Sequence, residues 1–187
     1  MKYIATMALM LSLGVANAYA HDRSVKMTSS GTATAGGVDL KIPNTTSGEN
    51  DFAGNGNLGS YTFREIEAET GPQASSTCSG PNLLYTTVVS GAGVFRFQDG
   101  SLLNVTVTEG ADCIDLAAQQ AHCTRTFKII SGTGRFKEAK GILEFTETIG
   151  PVLADATGNP VFFASTGEFT GTISGVAHDE GHEGEQQ

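Results

Sequence analysis

The chain has 187 residues, a formal charge of −9 and no tryptophan, and its 24 glycines lie among many serines and threonines. The length fits one domain, and the acid excess repels phosphate backbones and anionic lipid heads, which argues against a nucleic-acid partner. Few helical patterns and many Gly, Ser and Thr residues point to all-β structure.

The first 20 residues carry Lys2, an apolar run over 4–15 and small residues at Ala18 and Ala20. This reads as a secretory signal cut between Ala20 and His21, with a second site at 16–18. The run falls short of the roughly 20 apolar residues a bilayer requires, so no membrane span is expected. Loss of Lys2 would take the formal charge from −9 to −10. The expected location is secreted or periplasmic.

Residues 21–57 read as a loose lead-in, with a short alternating segment at 38–42 as the candidate first strand and a loop over 44–57. A long strand is expected over 58–70 and a loop over 71–81. Residues 83–89 read as a strand rich in Leu, Tyr, Thr and Val. Residues 90–93 then turn the chain into a strand at 94–97. Asp99-Gly100 is a hairpin signal, answered by a strand over 102–109. One helical turn is expected within 115–121. Strands over 124–130, 141–149 and 161–174 complete a barrel domain at 58–176, and 177–187 form an acidic tail. His178 and His182 sit among carboxylates there, but Gly181 and Gly184 hold no ligand in place, so no metal site is expected. The seven or eight strands are joined mainly by hairpins, so the sheet should be antiparallel.

Three cysteines are available to an exported chain. Cys113 and Cys123 flank a loop joining neighbouring strands, so Cys113–Cys123 is the favoured disulfide, with Cys78 as a competitor. No base is placed beside a leftover thiol. The stretch Gly132-Thr-Gly-Arg-Phe-Lys-Glu-Ala-Lys-Gly141 reads as a corner that folds an apolar plug, Phe136 with Ala139, over the end of the sheet. It has no phosphate-loop lysine, and no Gly-x-Ser-x-Gly motif occurs in the chain.

Strand alternation picks out polar residues on apolar faces. Leu143, Phe145, Glu147 and Ile149 share one face, and Cys123, Arg125, Phe127 and Ile129 share another. If these strands are neighbours, Arg125 and Glu147 face one another inside, and Tyr85 joins them from the face of Leu83, Thr87 and Val89. Leu103, Val105, Val107 and Glu109 form a further stripe. A buried acid and base around an apolar ligand would prepare a proton transfer. The same residues would equally serve as a structural ion pair, and one bulge would turn them to the other face. The pocket candidates are therefore Glu147, Arg125 and Tyr85, with Leu143, Phe145, Phe127 and Phe136 against a ligand.

The corner motif Gly132-Thr-Gly-Arg-Phe-x-x-Ala-x-Gly141 and the later Gly167-Glu-Phe-Thr-Gly-Thr-Ile-Ser-Gly175 resemble the allene oxide cyclase and dirigent protein superfamily. The resemblance is closest to exported bacterial proteins with an allene-oxide-cyclase-like barrel, and spans about residues 58–175. It implies a calycin-like, closed antiparallel barrel of about eight strands with an apolar cavity, often in a trimeric homo-oligomer. It also implies a small hydrophobic ligand and no cofactor. The matching residues turn and pack the chain, so no catalytic role carries over. Three functions are in view: a binding or carrier module, a cofactor-free isomerase or cyclase, and a structural or partner-binding domain with a filled barrel.

Overall fold

The computed structural model describes residues 22–74, 78 and 83–177. The expected signal segment and acidic tail therefore fall almost wholly outside the described residues. Nine strands form one sheet: β1 (Arg23–Ala35), β2 (Thr45–Gly56), β3 (Tyr61–Thr70), β4 (Gln73–Ala74), β5 (Leu83–Phe97), β6 (Leu102–Asp115), β7 (Gln120–Gly132), β8 (Lys140–Ala154) and β9 (Pro160–Ser174). Every pairing is antiparallel, in the order β3-β2-β1-β9-β8-β7-β6-β5-β4, and β3 also pairs with β5. That last pairing, from Tyr61 opposite Phe97 to Glu69 opposite Val88, closes eight strands into a barrel. The two-residue β4 stays outside and extends the rim of β5.

The lead-in expected over residues 21–57 is instead two full barrel strands. β1 and β2 pair from Met27 opposite Gly56 to Ala35 opposite Gly48. Val25, Met27 and Ser29 point inward from β1, a period-two pattern in which small residues stand where a larger apolar side chain would mark a strand. The segment 38–42 is the connection between them, not a strand.

Residues 90–93 do not turn the chain. β5 runs straight through them, because Gly91 and Gly93 make room for packing: a Cβ on Gly93 would lie 2.5 Å from the Phe63 ring, and one on Gly91 2.7 Å from Val107. A register shift in the β3–β5 pairing near Val89 reverses which side chains of β5 face inward. The helical turn expected within 115–121 is a tight hairpin turn, whose backbone N–H groups of Ala117 and Ala118 donate to the Asp115 carboxylate.

The expected Cys113–Cys123 bridge does not form; Cys113 pairs with Cys78, and Cys123 is a buried free thiol. β6 and β7 place Asp112 opposite Cys123 and Cys113 opposite His122. The two cysteines thus sit one register step apart on adjacent strands and point to opposite faces. Cys113 reaches outward to the loop carrying Cys78, while Cys123 faces the interior.

One end of the barrel is filled and capped. Phe52, Phe63, Phe95, Phe127, Phe145 and Phe169 are fully buried, with Phe145 stacked on Phe169 at 4.1 Å between centroids. Each such ring contributes about 1.5–3 kcal/mol by burial. The corner after β7 starts at Gly134, whose φ of 58° suits glycine. A short 3-10 turn, Gly134–Phe136, then drives Phe136 into the barrel against Phe97, 4.6 Å away. Arg135 lies over the rings of Phe97 and Phe136 and pairs with Asp99 at 2.9 Å, latching the plug.

Candidate functional site

The other end holds a cavity of about 550 Å³. Its lining includes the β6–β7 turn and the start of β9, and its walls include Leu84, Ile114, Ala121, Ile149 and Phe163. Its deepest lining is polar: Glu67, Glu69, Thr86, Asp112 and Glu147. Among the described residues, no Lys, Arg or His lines it.

β3 supplies most of the acid. Its inward stripe begins with Tyr61 and Phe63 in the aromatic core and continues as Glu65, Glu67 and Glu69 toward the opening. β6 supplies Asp112. A register irregularity between Val107 and Glu109 shifts the inward set, so Glu109 is exposed and Asp112 is buried. β7 supplies Arg125, and Gly110 on the facing strand leaves room for it: a Cβ there would come within 2.7 Å of the arginine Cδ.

Arg125 organises the cluster. Its Nε donates to Glu67 Oε2 at 2.7 Å and its Nη2 to Glu67 Oε1 at 2.8 Å, a two-pronged contact. Nη2 also donates to Glu69 at 3.0 Å, and Nη1 to Asp112 Oδ1 at 2.6 Å and to the carbonyls of Thr124 and Ala111. Thr86 donates to the second oxygen of Asp112 at 2.6 Å. Asn50 bridges Glu65 and Glu67 from below, at 3.1 and 3.3 Å. Glu147 stands apart from this network and accepts a hydrogen bond from Ser165.

One cation among five carboxyls sets the electrostatics. Burial tends to lower the affinity of Arg125 for its proton, but Glu67 and Asp112 raise it well above the ordinary value. Burial would raise Asp112, yet Arg125 and Thr86 hold it below the usual carboxylate range. Glu65 is pushed well up by burial and by the adjacent Glu67. Glu69 is pushed up to about 10 by burial, with Asp112 and Glu67 adding to the effect. Glu147 is raised to about 7 by burial, against the pull of Ser165 and Arg125. Burial and the neighbouring Asp112 also raise the Cys123 thiol, which disfavours the reactive thiolate. Among the described residues, no group of three or more His, Cys, Asp or Glu side chains is placed to hold a metal ion.

Arg125 and Glu147 both point inward at this end, but they do not form the direct pair expected of them. Cys123 is the register partner of Glu147, and Phe145 that of Arg125. Tyr85 lies on the other face: it is opposite Cys113, and its neighbour Thr86 points inward instead. Leu143, Phe145, Phe127 and Phe136 are not cavity residues. All four are buried in the aromatic core and its plug, beyond the floor of the cavity.

Sequence reasoning missed Glu65, Glu67, Glu69, Asp112 and Ser165. The three glutamates carried a readable signal, since they continue the alternation of Tyr61 and Phe63 across one face. Asp112 carried none, because the irregularity before it hides its face.

No family model matches the chain, and no curated protein matches it in sequence. Among solved structures, the chain is similar to the pterocarpan synthase dirigent protein PsPTS1 at 13% identity and a TM-score of 0.43, over 84% of this chain and 97% of that one. It is also similar to the pterocarpan synthase dirigent protein GePTS1 at 13% identity and a TM-score of 0.38, over 89% and 99%. The likeness is one of barrel outline, and no residue role passes from these proteins to this chain.

Proposed function

We propose that this chain is an exported barrel protein that binds a small, largely apolar molecule in the open end of the barrel. The observation that carries the reading is the cavity of about 550 Å³, with apolar walls over a polar floor that is itself hydrogen-bonded. Such pockets match small-molecule sites in size and lining. The cavity also counts against a filled, purely structural barrel. Export is supported by the Cys78–Cys113 disulfide, which fits an oxidising compartment. A trimeric state follows from the family resemblance alone and is checked by native mass spectrometry.

The test is to close the cavity from its wall. Ala121 is buried on the cavity surface. Ala121→Trp is expected to weaken binding of the neutral dye Nile red at least tenfold while the circular dichroism of the barrel is kept. Unchanged dye binding in a folded variant would contradict the reading.

A second reading, a cofactor-free isomerase or cyclase, is favoured by Glu147. Its carboxyl lines the cavity and titrates at about 7, where a group gives and takes protons with equal ease. On that reading Glu147→Gln abolishes turnover of a substrate that still binds. A carrier keeps its full behaviour apart from a change in affinity.

A further inference from the structure

The cavity has a charge preference that its apolar walls alone do not impose. Arg125 has five N–H donors, and the cluster uses all of them: Nε on Glu67, Nη2 on Glu67 and Glu69, and Nη1 on Asp112 and on the carbonyls of Thr124 and Ala111. The guanidinium is 2% exposed and is not part of the cavity lining. A ligand carboxylate would therefore find no cation among the described residues to hold it.

Acids outnumber cations around the cavity. Glu67, Glu69, Asp112, Asp115 and Glu147 line the cavity; Arg125 behind the lining answers the first three, and no basic side chain of the described residues answers Asp115 or Glu147 from within it. Glu147 is 6% exposed, and one of its oxygens accepts from Ser165. Among the described residues, no donor bonds its other oxygen, Oε1, which is open to the cavity rather than sealed in the wall. A carboxylate oxygen in such a sheltered site bonds a charged donor more strongly than it bonds water, so a ligand that supplies one gains there. Deeper in the same cluster, Glu65 Oε1 is buried without a partner among the described residues.

We infer that the ligand of this cavity is a lipophilic molecule whose polar end is a protonated amine, set against Glu147 with the apolar body between Leu84, Ile114 and Ile149. The inference rests on the binding reading above and narrows it to one ligand class. It disfavours fatty acids and other lipophilic anions, whose head would lie among carboxyls with no cation of the described residues to pair with.

Three probes of one chain length test this: n-octylamine, 1-octanol and octanoate, titrated into the folded mature protein near pH 8, followed by NMR chemical-shift changes. About 0.3 M salt screens the general attraction of an acidic surface for cations. Octylammonium is expected to bind about tenfold or more tighter than octanoate, with octanol between them. Glu147→Gln is expected to cut the preference for the amine over octanol at least threefold. The glutamine can still accept from Ser165, so the fold should hold. Equal affinities for the three probes would overturn the amine assignment and leave the binding reading standing. So would tighter octanoate binding, or a preference that survives the substitution. No binding by any probe, octanol included, would overturn both.

Discussion

The two ends of this barrel are built from the same eight strands, yet their inward positions do opposite things. At the plugged end, the inward stripes of β2, β3, β5, β8 and β9 carry Phe52, Phe63, Phe95, Phe145 and Phe169, and the rings fill the interior. At the open end, the stripes of β2, β3, β8 and β9 continue as Asn50, Glu65, Glu67, Glu147 and Ser165, and a cavity remains. The change falls within two to four residues along each strand. Apolar rings pack to high density and need no partner. Buried carboxyls must be hydrogen-bonded or protonated, and the geometry that satisfies them leaves space. One end is packed with rings, and the other keeps a cavity over a hydrogen-bonded polar floor.

The sharpest way to separate the ends is to damage each in turn. Arg125→Met would leave Glu67 and Asp112 buried without their cation, with an expected loss of about 3–5 kcal/mol at neutral pH. Phe169→Ala should cost a similar 3–5 kcal/mol through a cavity in the aromatic core. Urea titrations at two pH values tell the losses apart. The pKa of Asp112 is lowered in the folded state, so its stabilisation is present above the ordinary carboxylate value and is lost as pH falls through the folded value. The Arg125→Met deficit should therefore shrink on acidification, and the Phe169→Ala deficit should not. Equal pH dependence would remove the electrostatic distinction between the ends.

Next in size is the staple beside the open end. The Cys78–Cys113 link spans 35 residues of sequence. Cys78→Ala is expected to cost about 2–4 kcal/mol in thermal or urea unfolding. Loss of the bridge without loss of stability would mean that the open end does not need it.

Glu147→Gln has the opposite sign. The folded value of about 7 is raised from the ordinary 4.5. The stability linked to its proton is full below the ordinary value and is lost as pH rises toward 7. The substitution removes that loss, so the variant should gain on wild type between these pH values, by up to about 3 kcal/mol. A difference that does not change with pH would show that Glu147 titrates normally. The smallest expected effect is at the plug. Arg135→Ala removes a guanidinium stacked on two rings and paired with Asp99, and should cost about 1 kcal/mol in the same unfolding assay.

The sequence made some of this legible and hid the rest for physical reasons. Arg125 and Glu147 could be placed on inward faces because β7 and β8 alternate without interruption over those residues. Tyr85 and Asp112 could not, because the irregularities near Val89 and Thr108 reverse the faces of β5 and β6 and leave no mark in the residue pattern. β1 and β2 were hidden by composition. Ser29, Gly31 and Ser47 occupy inward-facing positions where larger apolar residues would have signalled a strand. The phenylalanines identified an apolar interior but not which end of it stayed empty, since that depends on how the rings fill a closed cross-section.

The most direct test of the central claim is to map where an uncharged probe binds. Methyl resonances of the protein would be followed during titration with 1-octanol. Shifts should concentrate at Leu84, Ile114, Ala121 and Ile149, while Leu103, Leu143 and Ile173 in the filled half stay still. Shifts spread through the filled half, or none at saturating probe, would contradict the division of the barrel into a packed end and a binding end.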